Sequence, residues 1–334
     1  MVCGMSSSSA SKSLLQNGVS PSKVGVPANT PLSAIDFLSQ RFPAIQTNVW
    51  LERFAAGLVL NAKAERMAPA DSLVGESHLL YFRHVTNETT LPFKANIIFQ
   101  DPYLVVADKP HFMPVTPGGQ YVQQSLLVQL KQQLNLPELS PIHRIDRETA
   151  GLVMFSVRAQ DRDAYQALFR LGQVEKTYEA IAGVPASSPL MPKFPLTHKS
   201  KMVEAAQFFK MRELSTDEMA DGEVLNSETW IDCVERIEAK DLSLQTHTAP
   251  LEALARYVLK PVTGQRHQLR VHMNALGLPL VGDQFYPVVK RGPEETDDFS
   301  EALQLLAKTI TFKDPLTGIF RTFESRQQLM PPAS

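Results

Sequence analysis

The sequence predicts an α+β fold, because strand patterns and amphipathic helix patterns both occur along the chain. Residues 152–155 form a continuous apolar run of the kind found in buried strands. Residues 174–183 are predicted to form a second strand, since they are rich in β-branched and aromatic side chains and follow a glycine. Between them, residues 161–171 carry apolar side chains at helical spacing, and Gly172 ends that helix.

The N-terminal third of the chain is predicted to contain a tail and a small separate unit. Residues 1–30 are rich in serine and other small side chains without a hydrophobic run, so we expect a disordered tail. Residues 31–90 are expected to form a small α/β unit with two short amphipathic helices and strands near 59–60 and 79–82. Residues 91–334 then form the second, larger domain.

Composition and charge exclude several classes of protein. No apolar stretch approaches the roughly 18 residues that a membrane span needs, so no membrane contact is expected. Two cysteines cannot build a disulfide framework or a structural zinc site, and a reducing cytoplasm is the simple inference. The eight histidines show no ligand spacing such as HExxH, so no metal is expected.

The most informative segment is HRIDRETAGL, residues 143–152, which carries charges of both signs directly before the apolar run. We expect the chain to turn at Gly151, which would hold Asp146 at the end of a core strand. A carboxylate in that position can act as a nucleophile or a general base. It can equally be one half of a structural ion pair.

Two further segments place polar side chains in regular elements. In the strand that follows Gly172, alternation puts Lys176 and Tyr178 on one face, although Tyr178 alone is also explained as an ordinary sheet aromatic. A helix is predicted after Thr263 as its cap, and it places Arg266 and Arg270 one turn apart. Two such cations repel each other unless an anion lies nearby, and the alternative is a solvated basic face.

Taken together, these segments resemble the motifs of the RluA-type RNA pseudouridine synthases, in the same order and at similar separations. Residues 143–152 are similar to that family's HRLDxxTSGL, and KTYEAIAG at 176–183 is similar to its KxYxAxxxG strand. Residues 261–286 resemble its third block, and LVVADKP at 104–110 resembles the opening of its catalytic domain. One departure is Gln265, which stands where the family usually has arginine, with Arg266 one place later.

The resemblance, which covers roughly residues 92–325, implies a fold and a reaction. The implied fold is the pseudouridine synthase fold, a mixed and mostly antiparallel sheet with flanking helices and loops. The implied reaction converts a specific uridine to pseudouridine in structured RNA, either ribosomal large-subunit RNA or a transfer-RNA stem-loop. Because this isomerisation involves no net redox change and no group transfer, neither a cofactor nor a metal is expected.

The resemblance also assigns roles to individual residues. Asp146 is the essential aspartate, Arg270 is its charge partner, and Tyr178 stacks on the flipped uracil. Arg144 fills the space that the flipped base leaves. Two roles of Asp146 stay open: attack on the sugar or the base as a nucleophile, or removal of a sugar proton to give a glycal. Lys260 and Arg266 lie in a short segment rich in cations, and we expect them to bind RNA.

Other interpretations remain open at this point. The N-terminal unit resembles an S-four-like RNA-binding domain with Arg53, Lys63 and Arg66 as its cations, or it is a packing domain without a role in RNA binding. The main functional alternative is a noncatalytic RNA-binding protein, and an aspartate-nucleophile hydrolase is the second, although the motifs offer no clear base to activate water. The chain is expected to be a monomer.

Overall fold

A large twisted sheet in one unit and a small three-stranded sheet in another organise the chain. The structure is a computed structural model, and it describes residues 14–83, 88–185, 193–207, 209–237, 251–290, 292 and 298–329. One unit contains the chain up to Thr90 together with Thr116–Glu138, and the other contains Leu91–Val115 and the chain from Leu139 onwards. No helix within the described ranges is both long and apolar enough to cross a membrane.

The N-terminal unit has the helices and strands that the sequence predicted. Its three strands pair antiparallel in the order β1, β3, β2, and Trp50 and Leu38 are fully buried against them. Trp50 and Tyr81 meet edge to face at 5.3 Å, which is a favourable aromatic geometry. The elements are β1 (Ser22–Gly25), α1 (Ala34–Arg41), α2 (Thr47–Ala55), β2 (Val59–Leu60), β3 (His78–Tyr81) and α3 (Leu126–Leu134).

The boundaries of this unit differ from those predicted. Residues 22–25 form strand β1 within the predicted disordered tail, because Val24 alternates inward and is buried while the strand pairs with β3. Helix α3 also belongs to this unit, and its Val128 packs on Val19 and Val122. Sequence order placed α3 in the larger domain, since this long-range contact leaves no local signal. Residues 1–13 lie outside the described residues.

The larger unit is built on a ten-stranded sheet, which confirms the predicted α+β class. The main strand order is β4, β5, β7, β14, β8, β13, β12, β9, and β6 and β15 pair with β7 and β14. The elements are β4 (Asn96–Gln100), β5 (Leu104–Lys109), β6 (Ser140–Pro141), β7 (Ala150–Ser156), α4 (Arg162–Arg170), β8 (Val174–Pro185), β9 (Leu196–Ser200), β10 (Met202–Glu204), β11 (Met211–Glu213), β12 (Ser227–Ile237), β13 (Leu251–Pro261), α5 (Gln268–Ala275), β14 (Leu305–Lys313) and β15 (Phe320–Glu324).

Strands β7 and β14 lie near the centre of the sheet, and their contact is the one parallel pairing among the described strands. Gly151 pairs with Ala307 there at φ +111°, a region that only glycine enters freely. A Cβ atom at Gly151 would overlap the backbone of Ala307, so the two strands approach closely only because the side chain is absent. The predicted turn at Gly151 is therefore wrong: the residue lies inside β7, and its glycine identity serves this close approach.

The two predicted helices of this unit exist, with differences at their ends. Helix α4 covers the predicted segment, but Leu171 is exposed and the buried side chains of α4 are Tyr165 and Leu168. Helix α5 begins at Gln268 and not after Thr263. The Thr263 hydroxyl donates to the Gln268 side chain at 2.7 Å, so it fixes the loop before the helix.

Candidate active site

Asp146, Tyr178 and Arg270 line one cleft of the larger unit. Asp146 lies in the loop between β6 and β7, Tyr178 on β8 and Arg270 on α5. Three segments that are distant in sequence thus meet at one place, as the motifs predicted. The other lining residues are Arg144, Ile145, Thr149, Lys176, Pro261, Thr263, Gly264, Gln265, His267, Gln268, Leu269 and Leu305.

Arg270 is the buried centre of this cleft. Its side chain has 0% exposure. Its Nε donates to Asp283 Oδ2 at 2.9 Å and its Nη2 donates to Asp283 Oδ1 at 2.7 Å, which is a two-pronged pair. Burial by itself would lower the pKa of Arg270, but the charges of Asp283, Asp146 and Glu148 outweigh it and raise the pKa above its usual value. The guanidinium is therefore a fixed positive charge.

The free edge of this guanidinium faces two carboxylates of the 143–152 segment. Arg270 Nη1 lies 3.3 Å from Asp146 Oδ2 and 3.7 Å from Glu148 Oε2. Burial raises the pKa of Glu148, but Arg270 and Arg147 lower it more, so this carboxyl is ionised at neutral pH. The Asp146 side chain is 24% exposed and Glu148 is 13% exposed, so Asp146 is the more accessible carboxylate to a molecule in the cleft.

Strand register brings Tyr178 to the same cleft. Ala307 on β14 pairs with Gly151 on one side and with Tyr178 on the other, so the start of β7 and the middle of β8 lie across one strand. Burial, together with the negative charge of Asp146, raises the pKa of Tyr178 well above its ordinary value. The phenol is therefore protonated at neutral pH, when it can donate a hydrogen bond or offer its ring as a flat apolar surface.

Lys109 supports the loop that carries Asp146. Its ammonium is fully buried and donates to the carbonyl oxygens of Pro110 at 2.9 Å and Arg147 at 3.0 Å. Burial lowers the pKa of Lys109 to about 7, and the nearby charges of Glu148 and Asp146 act against this shift. The Lys-Pro turn at the end of β5 therefore holds the backbone next to Asp146.

The three residues predicted to bind substrate are not brought together. Arg144 is exposed and lines the cleft. Arg266 lies before α5 and not on its face, and it pairs with Glu204 at 3.2 Å outside the cleft wall. Lys260 is exposed, and its ammonium stands 4.8 Å from the centre of the Trp230 ring. Neither Arg266 nor Lys260 lines the cleft. Arg266 precedes α5 by two residues, so it does not lie on the helix face that carries Arg270. Lys260 pairs with Trp230 on the neighbouring strand β12.

The positive charge of the cation-rich segment that contains Lys260 and Arg266 is also partly neutralised. Residues 256–270 include no acidic side chain. Acidic side chains from other parts of the chain nevertheless form salt bridges with most of the cations in this segment. Arg256 pairs with Glu179 at 3.2 Å and with Glu235 at 3.3 Å. Outside this segment, salt bridges likewise join Lys199 to Glu228 at 3.1 Å and Lys201 to Glu223 at 3.3 Å.

The sequence indicated some of the polar residues that build the cleft and missed others. Strand alternation already placed Lys176 on the same face of β8 as Tyr178, and both residues line the cleft. Asp283 lies in the third motif block, but nothing local reveals that it binds Arg270. His143 accepts a hydrogen bond from the Met154 amide at 3.2 Å and stacks on Phe169, and burial lowers its pKa to about 3. That geometry is typical of a structural histidine.

Comparisons with known proteins point to one family. A family model described as RNA pseudouridylate synthase matches residues 103–275, just over half of the chain. An uncharacterized RNA pseudouridine synthase of Synechocystis is 27% identical over 75% of this chain and 78% of its own length. The dual-specificity RNA pseudouridine synthase RluA of Salmonella typhi is 27% identical over 68% of this chain and 91% of its own length.

A solved structure supports the predicted fold. The human protein titled RNA pseudouridylate synthase domain containing 1 covers 70% of this chain and 84% of its own with a TM-score of 0.52. At 20% sequence identity, this likeness concerns the fold alone. The predicted pseudouridine synthase fold is confirmed.

The buried pair between Arg270 and Asp283 yields a stability prediction. We expect Asp283→Asn to lower the free energy of unfolding by about 3 kcal/mol, because it removes one charge of a fully buried pair and leaves the other. Urea denaturation followed by circular dichroism measures this loss. The matched control is Asp163→Asn, whose carboxylate pairs with Arg170 but is 85% exposed, and its effect should stay within about 0.5 kcal/mol. Equal effects of the two substitutions would contradict a structural role for the buried pair.

Proposed function

The chain belongs to the RNA pseudouridylate synthase family and is an RNA pseudouridine synthase, an isomerase that converts uridine in RNA to pseudouridine; we propose that Asp146, held by Arg270, is its essential carboxylate. The observation that carries this proposal is the meeting of Asp146, Tyr178 and Arg270 in one cleft. Of the carboxylates around Arg270, Asp146 is the most exposed to a bound molecule.

The conversion of uridine to pseudouridine breaks one bond to the sugar and forms another. The bond between the sugar C1′ and uracil N1 breaks, the uracil rotates, and a bond forms between C1′ and C5. The proton on C5 is released and N1 gains one, so no electron donor or acceptor is consumed. Asp146 would act either as the nucleophile that holds the sugar or the base between these steps, or as the base that removes a sugar proton. Both roles need a carboxylate within reach of the sugar, and Arg270 Nη1 holds Asp146 Oδ2 at 3.3 Å.

Tyr178 is proposed to stack on the uracil rather than to remove its proton. A phenol whose pKa is raised by burial and by Asp146 is a poor acceptor of a proton at neutral pH. Its ring lines the cleft, where it offers a flat surface to a base. Base–aromatic stacking is worth about 1–3 kcal/mol per base.

A uridine reaches this cleft only when it leaves its stack in the RNA. Such flipping costs a few kcal/mol, and the cost is lower when a side chain fills the space of the missing base. Arg144 is exposed at the cleft wall and precedes Asp146 by two residues, so we assign this filling role to it. The target is proposed to be a stem-loop of large-subunit ribosomal RNA or of transfer RNA. A monomer and a cytoplasmic location stay predictions.

The first activity prediction concerns Asp146→Asn. The amide keeps the shape of the side chain and removes the anion, so the release of tritium from RNA labelled at uracil C5 should fall at least about 100-fold. RNA binding and the thermal melting of the protein should stay close to wild type. The assay uses transcripts of large-subunit ribosomal RNA and of transfer RNA, with Asp163→Asn as the control. An Asp146→Asn variant with wild-type tritium release would disprove the assignment, whereas RNA binding without release by the wild type would favour a noncatalytic protein.

Substitutions at Tyr178 separate stacking from proton transfer. If stacking dominates, Tyr178→Phe keeps kcat/KM within about threefold of wild type, and Tyr178→Ala lowers it by roughly 5- to 150-fold, which corresponds to 1–3 kcal/mol. Single-turnover rates on the same RNA provide the measurement, and Tyr103→Phe outside the cleft is the control. A Phe variant as inactive as the Ala variant would show instead that the hydroxyl is needed.

The N-terminal unit is proposed to contribute to RNA affinity through Lys63 and Arg66, which are exposed. Arg53, the third predicted cation, is buried and lies 4.6 Å from the Trp50 ring, so it does not take part. Replacing Lys63 and Arg66 by alanine should reduce the slope of log Kd against log salt by about 0.7–0.9 for each phosphate that these cations neutralise. Filter binding at several salt concentrations measures the slope, with the exposed Lys313→Ala as control. An unchanged slope would leave this unit with a packing role only.

A further inference from the structure

Three side chains that could bind a metal ion come together from separate elements, and none of them lines the cleft that contains Asp146. His198 lies on β9, Glu213 on β11 and His272 on α5. Their ligand atoms all lie within 4.8 Å of one another. The sequence predicted no metal, because these three residues are far apart along the chain and form no ligand spacing within one segment.

The distances suit a shared cation. His198 Nε2 lies 2.8 Å from Glu213 Oε1, and His272 Nε2 lies 3.8 Å from the same oxygen. The two imidazole rings stand 4.7 Å apart, centre to centre, at an angle of 73°. Ligand atoms in a tetrahedral zinc site are separated by about 3.3–3.6 Å, given metal–ligand bonds of roughly 2.0–2.2 Å. Small side-chain rotations therefore bring all three ligand atoms to a common centre.

The surroundings of His272 have the features of a metal ligand. Its Nδ1 lies 2.9 Å from the Thr229 hydroxyl, so a proton on Nδ1 can be donated there, and the lone pair of Nε2 is then available to an ion. Metal-binding histidines are commonly oriented by such a bond on the second ring nitrogen. Nε2 is also within 3.0 Å of Ser227 Oγ and 3.2 Å of Ser200 Oγ, two polar atoms beside the proposed ion.

An ion has a route to this group. The side chain of His272 is fully buried, whereas His198 is 21% and Glu213 is 18% exposed. The buried ligand fixes the position, and the other two face the solvent from which an ion and a coordinating water arrive. Two imidazoles and one carboxylate are the donor set of many zinc sites, whereas Mg²⁺ and Ca²⁺ prefer oxygen ligands.

We propose that His198, Glu213 and His272 bind a divalent transition-metal ion, with Zn²⁺ as the cation that fits best. The bound ion joins β9 and β11 to α5. Helix α5 also carries Arg270, two residues before His272, so the metal stabilises the helix that holds the active-site arginine. The ion lies outside the cleft and takes no part in the isomerisation. The inference is independent of the roles assigned to Asp146 and Tyr178.

Zinc binding by the full chain tests the proposal directly. The protein is freed of any affinity tag, treated with a chelator and titrated with ZnCl₂ in competition with a chromophoric zinc indicator. We expect one Zn²⁺ per chain and no competition by Mg²⁺. Saturating Zn²⁺ should raise the melting temperature by about 5 °C, because the ion binds the folded chain and not the unfolded one.

Variants identify the ligands. His198→Ala and the isosteric Glu213→Gln should each weaken zinc affinity at least tenfold and abolish the rise in melting temperature. His78→Ala, which removes a histidine of the N-terminal unit, should leave both unchanged. Wild-type protein that binds no stoichiometric Zn²⁺, or a folded Glu213→Gln variant that binds as tightly as wild type, would overturn the proposal and leave a hydrogen-bonded His–Glu pair. Neither outcome depends on the isomerase assay.

Discussion

The burial of the Arg270 guanidinium imposes the constraint around which the cleft is organised. Arg270 has no exposed side-chain surface, and an unpaired charge in such a place costs several kcal/mol. Asp283 supplies a two-pronged partner, and Asp146 and Glu148 supply the remaining negative charge. The structure therefore has to bring α5, the loop after β6 and the segment at Asp283 to one point.

Close backbone contacts and one buried lysine bring these segments together. Gly151 lets β7 approach β14, which sets the end of the Asp146 loop beside the strand that neighbours β8. Gly282 has a positive φ of +73°, and a Cβ atom there would overlap the backbone of Ala302, so the chain next to Asp283 is equally close-packed. Lys109 binds the carbonyl of Arg147 in the same loop as Asp146. Together these interactions hold Asp146 in place without closing it off from the cleft.

The distribution of charge has a consequence for how RNA is bound. The chain carries a net charge of −2, and salt bridges engage Arg256, Lys199, Lys201 and Arg266. From this charge balance we expect the non-specific attraction between the chain and RNA phosphates to be weak.

The sequence by itself determined the fold class, most of the elements and the three residues that we propose for the active site. Alternation along β8 and the helical spacing of α4 are local properties, and the three motifs carry Asp146, Tyr178 and Arg270 in an order specific enough to identify the family. Only the tertiary structure decided which charges pair, that α3 belongs to the N-terminal unit, and that Arg266 and Lys260 stand outside the cleft. The physical reason is that burial and ion pairing depend on atoms that are close in space but distant along the chain. His198, Glu213 and His272 meet for the same reason, and no spacing within one segment could have indicated it.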